Sequence, residues 1–412
     1  MVDVSRRAFL GTLGIAGAFA GGGAAGAALG LWGSPSPAAA GGSSAQRIPF
    51  RGPHQAGITT PAQDRLVFSA FDVNAAAFDQ LRAVLDRWTE AAEAMTAGRP
   101  VGPGDDDPAA PPSDTGEALG LPPSRLTITI GYGPSLFAHP ALRPRRPAAL
   151  KPLPPFPGDR LDPLRSGGDI AVQACADDPQ VAFHAVRNLA RIGRGVVTTR
   201  WVQLGFGRTS STTADQQTPR NLMGFKDGTR NIRADETEAL DRYVWIGTES
   251  DQPWLVGGTF LVVRRIRMLI EAWDRDSLQD QEQVIGRFKV SGAPLTGRDE
   301  FDPPDFSATC GGEPVIPRDA HIRLASAEEN DGVRMLRRGY SFTDGMDGTT
   351  GELDAGLFFI SFHKDPEIFV SIQRKLATSD ALREYLVHTG SGLYVCPPGL
   401  KGGQTWGAQL FG

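Results

Sequence analysis

The order of apolar and polar positions along the chain predicts strands and helices in a repeated sequence. The apolar run at residues 66–73 predicts a strand, and Asn74 is placed to cap a helix over about residues 75–97. Residues 126–131 alternate between apolar and polar side chains, as a half-buried strand does. A further strand is predicted at residues 168–175. The first part of the chain therefore has the order strand, helix, strand, strand.

Two strand-to-helix junctions share one chemistry, an Asp that caps the helix and a Pro in its first turn. The pairs are Asp178–Pro179 and Asp365–Pro366. Each pair follows an apolar strand and leads through a helix to another strand. The strands concerned are residues 168–175 and about 198–206 in the first half, and 356–363 and 391–396 in the second.

Each half also opens with a strand followed by a helix, since residues 259–267 take the place that residues 66–73 have in the first half. The order predicts two copies of a β-α-β-β-α-β unit, the ferredoxin-like motif. Chance recurrence of common capping residues is the alternative explanation. Two antiparallel sheets with helices on one face give the fold class α+β. We expect residues 41–220 to form an N-terminal ferredoxin-like domain and residues 221–412 a C-terminal one.

The N-terminus carries the pattern of an export signal. Residues 5–10 contain twin arginines, a weakly apolar run rich in Gly and Ala follows, and residues 37–40 form an A-x-A-like cleavage site. A retained membrane anchor is the alternative, but the Gly content makes the run a poor span. We therefore expect residues 1–40 to be a cleaved twin-arginine signal peptide. The mature protein would lie in the periplasm, in the cell envelope or outside the cell, without a stable membrane span.

Composition excludes several classes of function. Without the signal peptide about 370 residues remain, which is too many for one small core and fits two domains. The formal net charge is −5, and no basic patch of the kind that binds nucleic acid is present. The three cysteines form no C-x-x-C or C-x-x-C-H pattern, so iron–sulfur clusters, structural zinc and covalently attached haem are not expected. We expect three free thiols, although the sequence leaves one disulfide after export open.

One loop at residues 221–231 places a carboxylate between two glycines. Glycine adopts backbone angles that other residues avoid, and Gly224 and Gly228 would let the chain approach a flat ligand closely. Asp227 on such a loop is placed to move a proton inside a cavity. An ordinary Asp-Gly turn is the alternative, and it is the commoner meaning of so short a motif.

A histidine and an arginine favour the catalytic interpretation of Asp227 over an ordinary turn. His321 lies in a mixed basic and apolar stretch, sixteen residues before Arg337. A lone histidine is more often structural. A neutral imidazole is nevertheless a good axial ligand for haem iron, a carboxylate can move a proton between the two oxygens of peroxide, and an arginine stabilises the peroxide anion. His321, Asp227 and Arg337 together are the minimum set for heterolytic cleavage of peroxide on iron.

The other five histidines carry weaker signals. His54 lies in a compact polar turn, so we expect it at the rim of a pocket. His139 lies in a Pro-rich loop and is expected to be exposed. His184, His363 and His388 lie within or at the ends of predicted elements, so structural roles are expected.

Five segments of the chain resemble segments of dye-decolourising-type haem peroxidases, and within that family the exported deferrochelatase/peroxidase branch. They are His54–Ile58, Gly167–Asp169, Asn221–Thr229, Ala320–Leu324 and Met335–Ser341. The resemblance covers nearly all of the predicted mature chain. It implies a duplicated ferredoxin-like fold with the haem pocket in the C-terminal half, in agreement with the repeat.

The resemblance implies a role for each matching residue. Asp227 would be the distal acid–base and Arg337 the distal arginine, while His321 would be the proximal ligand of non-covalently bound haem b. A second group would lie against the haem, together with Arg337: Gly228, Thr229, Arg230, Ser326 and Ala327. Within it, Arg230 is implied as a partner of a propionate. The loop between His321 and Arg337 is a little short for the family, which makes the last two assignments in that group looser.

The resemblance also implies a function. The protein would reduce hydrogen peroxide and oxidise bulky organic donors, with release of iron from haem or oxidation of ferrous iron for an uptake system as further roles. A homodimer is the implied assembly. A non-enzymatic exported haem or iron carrier is the alternative, but a carrier needs His321 without Asp227 and Arg337. A nicotinamide enzyme is not expected, because no G-x-G-x-x-G follows a strand.

Overall fold

The computed structural model describes residues 45–104 and 107–412. The predicted signal peptide at residues 1–40 lies outside the described residues and stays a prediction. Residues 41–412 form one compact unit, and the boundary between two domains at residue 220 also stays a prediction. Among the described helices, none has both the length and the apolar character that a membrane span requires.

The first half contains the strand and helix order that its sequence predicts. Its elements are β1 (Arg65–Val73), α1 (Leu81–Thr96), β2 (Thr127–Tyr132), β3 (Ile170–Ala176), α2 (Pro179–Ile192) and β4 (Val197–Arg208). The helix expected over residues 75–97 begins as a 3₁₀ turn at Ala75–Gln80 and becomes α-helical only from Leu81. The Asn74 side chain starts that turn, because it accepts a hydrogen bond from the N–H of Ala76.

The second half repeats this order and contains additional short elements. Its helices and strands are α3 (Thr237–Tyr243), β5 (Thr259–Met268), α4 (Ile270–Trp273), α5 (Leu278–Ile285), β6 (Thr309–Cys310), β7 (Glu313–Pro314), α6 (His321–Leu324), β8 (Leu336–Arg337), β9 (Tyr340–Met346), β10 (Leu353–His363), α7 (Glu367–Ser379), β11 (Leu386–Cys396) and α8 (Trp406–Phe411). Strands β5, β9, β10 and β11 correspond to the four strands of the first half. Helix α7 corresponds to α2.

The two Asp–Pro junctions fold alike. The Asp178 carboxylate accepts a hydrogen bond from the N–H of Gln180 at 2.7 Å. The Asp365 carboxylate accepts one from the N–H of Glu367 at 2.8 Å. Each carboxylate thus satisfies an N–H group that has no partner inside the first turn of its helix. The capping pattern predicted from the sequence is therefore confirmed at α2. At α7 the Asp365 carboxylate makes the corresponding bond, but the helix begins one residue later, at Glu367, with Pro366 as its N-cap.

The two repeats form one continuous sheet, which corrects the expectation of two separate sheets. Each repeat has the strand order of a ferredoxin-like unit, β4-β1-β3-β2 in the first half and β9-β10-β5-β11 in the second. The edges of the units then pair, β4 with β9 and β2 with β11. The described strands therefore include a nine-stranded antiparallel sheet, with β8 beside β10. Edge pairing satisfies backbone groups that two separate sheets would leave open.

Because β5 pairs with both β10 and β11, the pairings close on themselves and give the sheet an inner and an outer face. Successive side chains of a strand point to opposite faces. On β10, Phe358 packs inside against Phe68, with ring centroids 5.2 Å apart. Phe359 points outward and packs against Phe369 of α7, with centroids 5.8 Å apart. The outer face of the second half is therefore the wall against which α7 packs.

Three histidines outside the predicted site have packing roles. His184 is buried and pairs with Asp114 at 2.7 Å, as a structural residue would. His363 is buried, and burial lowers its pKa to about 3. His139 is half-buried rather than exposed, because its ring stacks on Phe78 with centroids 3.3 Å apart. The sequence around His139 does not show this stacking, because Phe78 belongs to the 3₁₀ turn at Ala75–Gln80 in a distant part of the chain.

Candidate active site

A cavity of about 440 Å³ lies in the second half of the chain. One wall is the outer face of β5, β10 and β11, which contributes Ile266, Met268 and Leu357. Other parts of the cavity wall are formed by helices α5, α6 and α7 and by the loop at residues 221–230. Its size is in the range of pockets that hold a small molecule or cofactor. The cavity therefore lies in the half in which the sequence predicts one.

The loop that carries Asp227 depends on its two glycines. Gly224 and Gly228 have φ values of 84° and 89°, in the left-handed region that side chains disfavour. A Cβ on Gly228 would lie 2.8 Å from the Cα of Ser210, so no larger residue fits there. The backbone N–H of Asp227 donates to the carbonyl of Pro219 at 2.9 Å. The loop is thus folded tightly, with Asp227 on the cavity wall.

Asp227 and Arg337 form an ion pair in the cavity. The Nη1 of Arg337 donates to Oδ1 of Asp227 at 2.7 Å. The other carboxylate oxygen, Oδ2, has a weaker donor in Nδ2 of Asn221, at 3.4 Å. The Asp227 side chain is 14% exposed and that of Arg337 27% exposed. One oxygen of Asp227 is therefore fixed by a guanidinium, and the other is free to exchange a proton.

Asn231 holds the Asp227 loop against the strand that carries Arg337. Its Oδ1 accepts a hydrogen bond from the backbone N–H of Arg337 at 2.7 Å, and its Nδ2 donates to the carbonyl of Arg337 at 2.9 Å. The same Nδ2 donates to the carbonyl of Ser211, also at 2.9 Å. The residue is only 4% exposed. The side-chain amide thus pairs with both backbone groups of Arg337, as a neighbouring strand would.

His321 begins α6 and its ring is oriented by a buried carboxylate. Its Nδ1 donates to Oδ2 of Asp380 at 2.6 Å, and the Asp380 side chain is 4% exposed. Burial lowers the pKa of His321, but the charge and hydrogen bond of Asp380 outweigh burial and raise the pKa overall. This hydrogen bond fixes the proton on Nδ1 and leaves Nε2 without a partner among the described residues. His321 lines the cavity, as do Asp227 and Arg337.

The other predicted site residues also line the cavity: Gly228, Thr229, Arg230, Ser326 and Ala327. Three of them already have polar partners, among them Ser326, whose hydroxyl donates to the carbonyl of Arg323 at 2.8 Å. Arg230 makes a two-pronged ion pair with Glu328 at 2.8 Å, and both side chains are exposed. The hydroxyl of Thr229 donates to Glu300 at 3.1 Å. The structure therefore brings together all eight residues that the sequence predicts, with Arg230 at the solvent side.

Sequence reasoning missed several residues of the site. Asp380 lies 59 residues from His321, and its local sequence shows only a helix end. His388, expected to be structural, lines the cavity. His54, expected at a pocket rim, instead stacks on Trp245 with ring centroids 3.7 Å apart and is not part of the cavity wall. Only chain folding brings distant residues such as Asp380 and His321 together.

Comparison with known proteins assigns the family. Residues 55–207 match the model of the N-terminal part of Dyp-type peroxidases, and residues 218–401 match that of the C-terminal part. The chain belongs to the Dyp-type peroxidase family. A deferrochelatase of Escherichia coli strain K12 is 36% identical to it over 363 residues, which cover 86% of this chain and 85% of that protein.

Solved structures of Dyp-type peroxidases have the same fold. Ferric DtpA from Streptomyces lividans has 42% sequence identity and a TM-score of 0.82, over 90% of this chain and 98% of that one. A DyP-type peroxidase from Cellulomonas bogoriensis has 38% identity and a TM-score of 0.79, over 90% and 99%. These matches confirm the predicted α+β ferredoxin-like fold. As a member of the family, the protein is an enzyme that acts as a haem peroxidase.

The residues of the cavity fit haem. His321 presents an unpartnered Nε2, which is the donor that haem iron takes from an imidazole. The apolar side chains of Ile266, Met268 and Leu357 suit the faces of a macrocycle. Cationic side chains at the Gly228 side of the cavity, such as Arg230, suit its carboxylates. The donor set and the lining therefore agree with the cofactor of the family.

We predict that Asn231→Ala slows the reaction of the ferric protein with hydrogen peroxide about tenfold, because loss of two hydrogen bonds loosens the backbone of Arg337. Stopped-flow absorbance of the haem-loaded protein measures this rate. Cyanide binding should slow as well, since it also depends on the Asp227–Arg337 pair.

The Soret spectrum before mixing controls for loss of haem from the Asn231 variant. Ser371→Ala, which alters an exposed residue on α7, is the matched control and should react like the wild type. An Asn231 variant with full haem content and wild-type rates would show that the Asn231 side chain does not position Arg337.

Proposed function

We propose that this protein is a haem b-dependent peroxidase that binds its haem non-covalently, reduces hydrogen peroxide and oxidises bulky organic donors. The observation that carries the proposal is the Asp227–Arg337 pair in the same cavity as His321. Non-covalent binding is supported by the cysteines, which are free and absent from the described wall of the cavity. The match to a solved peroxidase covers 90% of this chain, which supports the reaction class.

His321 would hold the haem iron through Nε2, and Asp380 would keep the imidazole ring in the orientation that this requires. The buried carboxylate also increases the electron density on the ligand nitrogen. Gly228, Thr229, Ser326 and Ala327 would lie against the macrocycle. Arg230 would bind a propionate in place of, or together with, its present partner Glu328.

Asp227 is the group that moves the proton. Its Oδ1 is held by Arg337, so Oδ2 is the atom that accepts a proton from one peroxide oxygen and returns it to the other. Arg337 supplies fixed positive charge next to the oxygen that departs as water. Haem, when bound, would supply the two electrons for this reduction, and the organic donor would restore them.

Release of iron from haem is a second candidate function. It is favoured by the relatives that are named deferrochelatase. The measurement that separates it from peroxidase activity alone is the fluorescence of iron-free porphyrin after haem is added in excess, because haem itself does not fluoresce. A role in ferrous iron oxidation for uptake, and a homodimer as the assembly, belong to the same proposal. Sedimentation of the mature protein tests the dimer.

A non-enzymatic haem carrier is less well supported. Such a carrier needs an axial ligand and an apolar cavity, and both are present. It has no use for a carboxylate whose position is fixed by an arginine at 2.7 Å. A carrier would bind haem without turning over peroxide.

We expect Asp227→Asn and Arg337→Leu to retain the Soret band but to slow peroxide reduction by about 10² or more, because each removes part of the acid–base and charge stabilisation. Stopped-flow spectra and steady-state oxidation of an anthraquinone dye measure the effect. Lys364→Ala, which changes a residue outside the cavity wall, serves as the control. Unchanged rates in both site variants would contradict the roles assigned to them.

His321→Ala should lose most of its haem or show a changed spin state, because the iron loses its protein ligand. Absorbance and electron paramagnetic resonance spectra of the purified protein report this. His139→Ala, which changes a histidine outside the cavity, should keep the wild-type spectrum. A wild-type spectrum for His321→Ala would point instead to His388, the other histidine of the cavity.

We also propose export by the twin-arginine pathway to the periplasm or cell exterior. Changing Arg6 and Arg7 together to Lys should retain the protein in the cytoplasm, because Lys lacks the planar guanidinium fork of Arg. Cell fractionation with immunoblotting measures the distribution. Arg47→Lys, beyond the predicted cleavage site, is the matched control. Normal export of the twin-lysine variant would contradict the proposal.

A further inference from the structure

Part of the cavity wall is formed by Arg264 of β5, Gln373 of α7 and His388 of β11. We call this part of the wall the Gln373 end. Pro157 and Gly158, which are both exposed, also line the cavity and directly precede Asp159, the partner of Arg264. The catalytic roles proposed above use none of these three polar side chains.

Gln373 and Arg264 are separated along their elements from residues at another part of the cavity wall. Gln373 lies seven residues before Asp380, the residue that orients His321, which is about 10 Å along the axis of α7. Arg264 lies four residues before Met268, which is about 13 Å along β5. All four residues line the cavity.

Two polar side chains at this end have unused hydrogen-bonding groups. The side chain of Gln373 has no hydrogen-bond partner among the described residues, although the residue is only 7% exposed. The imidazole of His388 also has none in the described part of the chain. Burial and the nearby charge of Arg264 lower the pKa of His388 to about 3, so the ring is neutral and carries one N–H donor. Both side chains line the cavity, so their unpaired polar groups are available to a ligand there.

Arg264 adds positive charge to the same place. It is 1% exposed, pairs with Asp159 and donates to the hydroxyl of Ser391 at 3.1 Å. Asp159 offsets part of its charge, but Arg264 lines the cavity and Asp159 does not. An amide N–H₂, an imidazole N–H and a guanidinium all donate hydrogen bonds. Their natural partner is a group that only accepts, and a carboxylate is such a group.

We propose that Gln373 and His388, beside Arg264, bind a carboxylate at this end of the cavity. The proposal rests on the proposed haem peroxidase function and names two sources for the same chemistry. One is a propionate of the haem, and the other is the carboxylate of a phenolic electron donor that enters past Gly158. The experiment distinguishes these sources.

The variants are Gln373→Leu and His388→Leu, which replace the polar groups by apolar ones of similar size. Arg264 is left in place, because its removal would leave buried Asp159 without its partner. Ser371→Ala alters a polar residue on the exposed side of α7 and is the matched control. The Soret spectrum and oxidation of a neutral donor by the wild type are measured first. A wild type that shows neither a Soret band nor oxidation of the neutral donor would contradict the proposed function rather than the subsite.

The first arm compares two donors with the same phenol in the haem-loaded enzyme at saturating peroxide. They are 4-hydroxyphenylacetate and the neutral 2-(4-hydroxyphenyl)ethanol. If the carboxylate of the donor binds, both variants raise KM for the acid about tenfold, leave kcat unchanged and alter KM for the alcohol less than about twofold.

The second arm compares loss of haem and of haem dimethyl ester to an excess of apomyoglobin. If a propionate binds at the Gln373 end, both variants release haem about tenfold faster than the wild type and release the ester at an unchanged rate. A change in either arm supports the carboxylate subsite and identifies its source. If the wild type is active, and both variants have the same KM values and rates of haem loss as the wild type and Ser371→Ala, the proposal is wrong.

Discussion

Pairing between the edges of the two ferredoxin-like units is the constraint on which the site depends. Strand β4 of the first unit pairs with β9 of the second, and the chain that follows β4 continues along the strand that carries Arg337. The N–H of Thr209 donates to the carbonyl of Gly339 at 2.9 Å, and the hydroxyl of Ser210 donates to the carbonyl of Arg337 at 2.9 Å. Residues of the first half therefore support the site of the second half. Separate sheets would leave β8 and the Asp227 loop without this support.

The same design recurs at each reactive group of the cavity. One atom is fixed by a buried partner, and another atom of the same group remains free. Asp380 fixes Nδ1 of His321 and leaves Nε2, while Arg337 fixes Oδ1 of Asp227 and leaves Oδ2. Asn231 in turn fixes the backbone of Arg337. Such contacts pre-organise the groups, so that little reorganisation is required when charge develops during the reaction.

The polar groups of the cavity are unevenly satisfied. Near Gly228 the charged side chains have partners, as in the pairs Arg230–Glu328 and Lys226–Glu300. At the Gln373 end, Gln373 and His388 have none among the described residues. This difference supports the carboxylate subsite that we propose there.

The sequence by itself determined the repeat, the helix caps and the chemistry of the site. Apolar periodicity and the Asp–Pro pairs are local signals, because a cap binds N–H groups two or three residues away. Glycines around Asp227 likewise report a local backbone requirement. Only the tertiary structure decided that the two sheets join, that Asp380 rather than a neighbour orients His321, and that His388 rather than His54 faces the cavity. These contacts join residues tens to hundreds of positions apart, and no local pattern records which distant residue the folded chain brings near.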